Sequence, residues 1–130
     1  IKKALVEANC KASDIDFIVP LGAGIQQLDN AEYEGLAAIF GDSLSSIPTI
    51  TTIPYTGNCM AGNGAIAISI AAKAIKEQTM PSRLGATETP GINAERCDAQ
   101  QMQVNRGLIV TPSEGGQCVA IILGRMEAKT

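Results

Sequence analysis

A nearly continuous run of apolar residues extends from Gly64 to Ala72, inside a longer segment that starts at Ile53 and ends at Gln78. The segment opens with turn-forming residues and then becomes apolar on every side, which is typical of a helix buried on all its faces. Gly62 and Gly64 fall in its first turns. Each glycine costs about 1 kcal/mol of helix stability relative to alanine, so close packing or a binding site must offset them. The sequence therefore predicts one buried helix around which the other elements are arranged.

The rest of the chain alternates between helical and extended patterns. Apolar residues at helical spacing predict a short helix over residues 1–10. Apolar, often β-branched runs predict strands at 15–19, 47–53, 106–111 and 117–124. The polar stretch 86–105 has no period and is expected to be a long surface loop. Two adjacent strands at the end of an alternating pattern indicate an α/β fold with a mixed sheet covered by helices.

A second helix is predicted to begin at Asp29, with Glu32 in capping-box position and Gly41 just after the last turn. Its predicted buried stripe is Tyr33, Leu36, Ala37 and Phe40. The two carboxylates are also candidates for acid–base chemistry, but helix capping explains both at this spacing. The preceding loop, 21–27, lacks the third glycine and the Lys-Ser/Thr pair of phosphate-binding loops, so turn formation is favoured there.

The composition narrows the classes of function. A chain of 130 residues fits one domain, and 45% apolar with 18% charged residues is typical of a globular protein. A net charge of −3, 3% aromatic residues and no tryptophan argue against binding to nucleic acid. No apolar run approaches the roughly 20 residues that cross a bilayer. Because the first residue is Ile, we expect the chain to be a piece of a longer protein.

The chain contains four cysteines, no C-x-x-C pair and no histidine, so neither a metal site nor a cofactor is expected. Reduced thiols are expected, which indicates the cytoplasm. Cys59 lies at a predicted helix start, where a thiol can become nucleophilic, but no base accompanies it and a buried structural cysteine is favoured. Cys118 is expected in the core. Without histidine, the commonest general base near neutral pH is absent.

The motifs, taken in order, resemble the C-terminal half of a β-ketoacyl-acyl carrier protein synthase, a member of the thiolase superfamily. They are IDFIV-PLGAG, D-x-x-E, a Thr-Gly turn before the glycine-rich helix, a G-G-Q turn and a final strand that ends in Gly-Arg. The resemblance extends from Ile1 to Arg125. It implies that residues 1–130 are a single domain, a thiolase-like α/β half with a mixed, about five-stranded sheet, helices on both faces and one helix buried. It also implies that the N-terminal half, which carries the family's catalytic cysteine, is absent from this chain.

The family's catalytic positions in this half hold other residues here. By resemblance, its first histidine falls on Leu21, its lysine on Ile53 and its second histidine on Asn58. Two threonines that hold the pantetheine arm fall on Ala23 and Ile25. Loss of one hydrogen-bond donor to a reacting oxygen typically costs a hundred- to a thousandfold in rate, and aliphatic side chains cannot donate. The amide of Asn58 can donate but cannot act as a base, so standard decarboxylative condensation is not expected.

The resemblance implies a set of residues that line an acyl or pantetheine site, none of them an intact catalytic group. These residues are Leu21, Asn58, Pro112 (at the family's gating phenylalanine), Glu114, Gly115 and Gly116. For Glu114, a charge in a solvated turn is the favoured interpretation, and a contact with a ligand is the alternative.

The leading hypothesis is a ketosynthase-family acyl-thioester protein of fatty acid or polyketide type biosynthesis that has lost standard condensation. It would act as a chain-length-factor-like partner or in altered acyl chemistry. Two alternatives stay open: an active condensing or acyl-transferring enzyme completed by a nucleophilic cysteine in the other half, and a structural or dimerisation module. The expected partners are the N-terminal half of the same fold, a second copy or a ketosynthase, and an acyl carrier protein or coenzyme A thioester. Because the long helix alone would expose apolar surface, we expect the chain to be accompanied.

Overall fold

A mixed β-sheet lies between two groups of helices in the computed structural model, which describes residues 1–85, 91–113 and 115–126. The helices are α1 (Lys2–Glu7), α2 (Gln26–Phe40), α3 (Ile53–Thr56) and α4 (Asn63–Glu77), and the strands are β1 (Phe17–Val19), β2 (Thr79–Met80), β3 (Gln100–Gln101), β4 (Arg106–Pro112) and β5 (Cys118–Gly124). The sheet has the order β1–β4–β5, with β1 parallel and β5 antiparallel to β4. A separate antiparallel pair joins β2 to β3. The predicted α/β class with a mixed sheet is confirmed.

Side chains of the two central strands alternate between two buried clusters, as the twofold period of a strand requires. Phe17 and Val19 pack with α4 on one face, together with Ile109. Ile18 and Leu108 pack on the other face with α1 and α2. Helices therefore cover both faces of the sheet, as expected from the sequence.

The sheet is narrower than expected, because the described residues form three of its strands rather than about five. The predicted strand 47–53 is only partly correct. Ile18 donates its N–H to the carbonyl of Pro48 (3.0 Å) and accepts one from Ile50 (2.8 Å), so this segment runs beside β1 as an isolated bridge. The chain then turns into α3 at Ile53, because Pro54 has the fixed backbone angle that favours a first helical turn.

The second helix ends where it was predicted to end but begins earlier. Phe40 is its last residue, and Gly41 follows with a φ of 54°. Its first residue is Gln26 rather than one after Asp29, and no side chain caps it. Leu36 and Phe40 are buried as expected, whereas Tyr33 lies at the surface.

The helix predicted from the long apolar run is α4, which ends at Glu77, one residue before Gln78. One face, including Asn63, Ala67 and Ala71, is buried against the sheet. The opposite face, with Ala65 and Ala72, is exposed. The single sheet covers only one side of α4, so burial on every face is not observed in the described chain, and the other side exposes the apolar surface that was expected for this chain alone.

The final strand is also more exposed than expected. Cys118 is exposed and Val119 retains 55% of its accessible surface. The expectation that Cys118 lies in the core is wrong, because β5 is an edge strand and its first residues are exposed. Apolar residues on β5 and on the outer face of α4 are thus left without a covering layer.

The stretch 86–105 is more structured than a surface loop. Residues 86–90 lie outside the described part of the chain. Beyond them, Asn93 bridges to Pro48, Cys97 bridges to Arg83, and Val104 is completely buried. These contacts join residues far apart in sequence, so local periodicity could not predict them. None of the helices in the described ranges is both long and apolar enough to cross a membrane.

Candidate functional site

The predicted site residues gather around one edge of the sheet. β1 and β4 are parallel, so their carboxyl ends lie at the same edge, where the turn into β5 also lies. The start of α4 is at this edge too, because a Cβ on Gly64 would lie 3.7 Å from Oγ1 of Thr111. Of the candidates, the following lie in the segments that meet here: Leu21, Asn58, Pro112, Gly115 and Gly116. Among the described residues, no hydrogen bond joins Leu21 to Asn58.

The loop after β1 is held by a carboxylate from α2. Oε1 of Glu32 accepts the backbone N–H of Leu21 at 2.8 Å, and Oε2 accepts the backbone N–H of Gly22 at 3.0 Å. Glu32 lies in the second turn of α2, so its prediction as a capping-box residue is wrong. The half-buried Leu21 therefore presents an aliphatic side chain, and its backbone donor is already paired.

Two acidic groups share this end of α2. Burial is the main cause that raises the pKa of Glu32, the hydrogen bonds from Gly22 and Leu21 lower it, and the charge of Asp29 raises it again. Asp29 lies in the first turn rather than at the helix cap, so that prediction is wrong as well. Its Oδ1 is buried without a hydrogen-bond partner in the described structure. Of the two carboxylates, Glu32 anchors the loop, and within the described residues its hydrogen bonds go to backbone N–H groups, which is a structural role rather than an acid–base one.

Asn58 takes part in a hydrogen-bonded network between α3 and α4. Its Oδ1 accepts the backbone N–H of Met60 at 2.9 Å and Nδ2–H of Asn63 at 2.8 Å. Oδ1 of Asn63 in turn accepts the backbone N–H of Cys59 at 2.9 Å. Asn58 is exposed and Asn63 is buried. The sequence reasoning missed Asn63, whose polar side chain at the start of an apolar run was the available signal.

Cys59 is exposed rather than buried, so the favoured interpretation of a buried structural cysteine is wrong. It precedes a short 3₁₀ segment, Met60–Gly62, and does not begin α4. Its Sγ lies 3.7 Å from the carbonyl oxygens of Thr56 and Gly57. The sequence contains no histidine, and the described contacts of Sγ include no basic group.

The described contacts of the remaining candidate site residues are backbone hydrogen bonds and strand pairing. Ile53, at the family's lysine position, is half-buried, and its carbonyl accepts the N–H of Gly57 at 2.8 Å. Pro112 is the last residue of β4 and pairs with Cys118. In the turn, Ser113 donates its N–H to the carbonyl of Gln117 at 2.8 Å, and Gly115 and Gly116 are exposed. Glu114 lies outside the described residues.

A groove of about 290 Å³ lies elsewhere, between α3, α4 and the segment after β2. The hydroxyl of Tyr55 donates to the carbonyl of Ser82 at 2.8 Å along one side of it. None of the predicted site residues that the structure describes lines this groove. Its walls come from distant parts of the sequence, so no local motif could indicate it. Within the described ranges, no group of three or more histidine, cysteine, aspartate or glutamate side chains is placed to hold a metal ion.

Comparison with known families assigns this mixed α/β fold. Residues 1–87 match the family "Beta-ketoacyl synthase, C-terminal domain". The match covers more than half of the chain, so the chain belongs to the beta-ketoacyl synthase family through its C-terminal domain.

Curated relatives agree with this assignment. The chain is 29% identical over 128 residues to the tetracenomycin polyketide synthase ketoacyl synthase beta subunit of Streptomyces glaucescens, covering 96% of this chain and 31% of that protein. It is 30% identical over 122 residues to the granaticin polyketide putative beta-ketoacyl synthase 2 of Streptomyces violaceoruber, covering 94% of this chain and 26% of that one. The chain thus spans less than a third of the length of either relative.

Solved structures show the same fold. One is the ishigamide ketosynthase/chain length factor, with a TM-score of 0.88, 21% identity and coverage of 97% of this chain and 32% of the matched chain. Another is a type II polyketide synthase acyl-carrier protein in complex with its ketosynthase bound to the hexaketide, with a TM-score of 0.86, 21% identity and the same coverage. At this identity the likeness concerns the fold alone, and it confirms the thiolase-like expectation.

Proposed function

We propose that residues 1–130 form the C-terminal, thiolase-like half of a longer subunit, and that the N-terminal half of the same fold covers the exposed face of α4. The exposed Ala65 and Ala72 and the half-buried Ile66 and Ile68 support this, because they form an apolar surface beside the open end of β5. Surfaces of this kind mark sites of contact with other protein. The relatives are more than three times as long as this chain, so a protein of their length has room for such an N-terminal half.

We further propose that this subunit is a chain-length-factor-like partner of an active ketosynthase in polyketide-type biosynthesis, without standard decarboxylative condensation of its own. The observation that carries the proposal is that neither of the family's two histidine positions holds a histidine in this chain. Leu21 offers no side-chain donor and its backbone N–H is bound by Glu32. Asn58 offers an amide but no proton-accepting group. A condensing site needs donors for the developing negative charge, and each missing donor costs about a hundred- to a thousandfold in rate.

The proposal includes the partners expected from the family. A ketosynthase would form the heterodimer, and an acyl carrier protein would deliver the growing chain as a thioester. Of the two similar structures, one is a ketosynthase/chain length factor, and the other is an acyl-carrier protein in complex with its ketosynthase. The compartment proposed is the cytoplasm. All four cysteines are free thiols in the structure, which supports a reducing environment.

Assembly provides the test. The full-length gene product is co-expressed with a tagged ketosynthase from the same gene cluster, and the purified material is examined by native mass spectrometry. We expect a complex with one copy of each subunit, and products whose chain length requires both. A full-length protein that remains alone, acquires an acyl group from an acyl thioester and extends it would overturn the partner role in favour of an active condensing enzyme. A protein that neither pairs nor binds an acyl thioester would support a structural module instead.

A further inference from the structure

Backbone N–H groups fix the orientation of the Asn58 side-chain amide, because they show which of its two end atoms is the oxygen and which is the nitrogen. A backbone N–H can only donate, so the atom of Asn58 that lies 2.9 Å from the nitrogen of Met60 must be the oxygen, Oδ1. By the same reasoning, the atom of Asn63 that faces the backbone nitrogen of Cys59 at 2.9 Å must be its Oδ1. Nδ2 of Asn63 then points to Oδ1 of Asn58, at 2.8 Å.

The two side-chain amides are therefore linked by hydrogen bonds that all run one way, from the N–H of Cys59 to Asn63 and from Asn63 to Asn58. Oδ1 of Asn58 accepts two hydrogen bonds, and its NH₂ group is turned away from both donors. Asn58 is exposed, and its Nδ2 has no acceptor in the described part of the structure. Asn63 is only 6% exposed, so its side chain is fixed between α4 and the turn. A buried amide with satisfied partners holds its orientation, because reversal would place donor against donor.

Resting on the proposed function, we propose that Asn63 is a positioning residue for the acyl site. It holds Asn58 so that the NH₂ group faces outward as a hydrogen-bond donor to a carbonyl oxygen of a bound acyl or β-ketoacyl thioester. The site then recognises carbonyl groups along the chain without supplying a base to activate them. This property suits a subunit that holds a reactive polyketone and does not extend it.

The chemistry of the pair separates this role from simple stabilisation of the turn. Asn58→Asp keeps an oxygen at the position of Oδ1, so both hydrogen bonds to it remain, and only the outward NH₂ is lost. Asn63→Asp keeps the contact with Cys59 but places an oxygen against Oδ1 of Asn58, so Asn63 no longer holds that amide in its orientation. Asn63→Ser is a second variant without a new charge, and its side chain is too short to reach Asn58. Asn30→Asp, on the exposed surface of α2, is a control for the change in charge.

The experiment measures equilibrium binding of two neutral probes to the full-length gene product in its complex with the ketosynthase. The first probe is acetoacetyl-pantetheine, and the second is S-butyl-pantetheine, which carries the same number of carbons on sulfur but neither the thioester nor the keto carbonyl. Asn58→Asp and Asn63→Asp are each expected to weaken binding of the acetoacetyl probe by roughly 5-fold or more, and Asn63→Ser by roughly 2- to 10-fold, since a hydrogen bond of this kind is lost. Binding of the butyl probe should not change. Because both residues act on one donor, the double variant Asn58→Asp/Asn63→Ser, which adds no second carboxylate at the contact, should lose no more than Asn58→Asp alone.

Two results would overturn the inference. If Asn58→Asp binds the acetoacetyl probe as the unchanged protein does, or if the unchanged protein does not bind it, the outward donor has no role. If Asn58→Asp weakens binding but neither Asn63 variant does, Asn63 is not the positioning residue. Formation of the complex is recorded separately by native mass spectrometry, so a failure of the partner role is distinguished from a failure of carbonyl recognition.

Discussion

The carboxylate of Glu32 lies 2.8 Å from the backbone nitrogen of Leu21, across eleven positions of sequence. It fixes the loop that follows β1 at the edge of the sheet where the other candidate site residues gather. If the resemblance places Leu21 correctly at the family's first histidine position, as the proposed function requires, this anchor supports the loop without a catalytic side chain on it.

Removal of this anchor should destabilise the protein. Glu32→Ala leaves the backbone N–H groups of Leu21 and Gly22 without their acceptor in a part-buried position. An unpaired buried donor costs about 1–3 kcal/mol, so the free energy of unfolding should fall by about that amount. Chemical denaturation measures it, and Glu34→Ala, exposed on the same helix, is the matched control. Equal stability of the two variants would show that the anchor contributes nothing.

The same glutamate should make stability depend on pH. Burial raises the pKa of Glu32 in the folded state above its value in the unfolded chain. The folded state therefore binds more protons between the two pKa values, and the contribution of Glu32 to stability is lost as pH rises through that range. Glu32→Gln does not titrate, so the stability advantage of the unchanged protein over this variant should shrink as pH rises. Denaturation curves of both proteins, recorded from below the ordinary pKa of glutamate upward, follow this change. A gap that widens with pH would contradict the direction of the shift.

Close packing between β1 and β4 predicts a second destabilising change. A Cβ added at Gly107 would lie 2.3 Å from Cζ of Phe17, whose side chain is completely buried. Gly107→Ala should therefore destabilise the protein by about 1–3 kcal/mol, which is typical of an overpacked core. Gly35→Ala is the contrasting variant, because nothing lies within 4 Å of its added Cβ in α2. There the gain in helix propensity should stabilise by up to about 1 kcal/mol. Thermal unfolding of the two variants should shift in opposite directions, and a shared direction would refute this account of the packing.

The exposed face of α4 gives a prediction for the full-length protein. If the N-terminal half covers this face, Ala65→Arg places an unpaired charge in an interface, which is costly. We expect loss of soluble protein or a lower melting temperature. Ala38→Arg, on the exposed surface of α2, should change stability by less than about 0.5 kcal/mol. If both variants melt alike, α4 remains open to solvent in the whole protein.

The local sequence pattern was sufficient to predict the helices and strands whose signals lie within a few residues of one another. The end of α4 near Gln78, the end of α2 at Gly41 and the strands β1, β4 and β5 all follow from periodicity and turn residues. Long-range contacts were not accessible in this way. Glu32 has the spacing of a cap, but its partners lie eleven and ten residues upstream.

Burial was the other property that the sequence alone could not decide. The apolar run of α4 predicts a helix covered on all sides, and the described chain covers only one of them. A sequence shows which surface is apolar, whereas the covering layer depends on what else is folded beside it. The same reason explains why Cys118 was placed in the core although it lies exposed on an edge strand.

For the candidate site too, the motifs predicted the positions of some residues but not the contacts of their side chains. The resemblance placed Leu21 and Asn58 at the histidine positions, and the structure brings the segments of both to the same edge of the sheet. Their side-chain surroundings required coordinates, since the pairing of Asn58 with Asn63 leaves no trace in a motif.

The central claim is that this subunit supports condensation without performing it. The most direct measurement is product formation from acyl and malonyl thioesters by the complex in which the catalytic cysteine of the partner ketosynthase has been replaced by alanine. The subunit described here is left unchanged in that complex. We predict that no condensation product forms, because the subunit described here would have to supply the acyl-accepting and enolate-stabilising groups itself. Condensation at the rate of the unmodified complex would contradict the claim, because the subunit that carries Leu21 and Asn58 would then be the active enzyme.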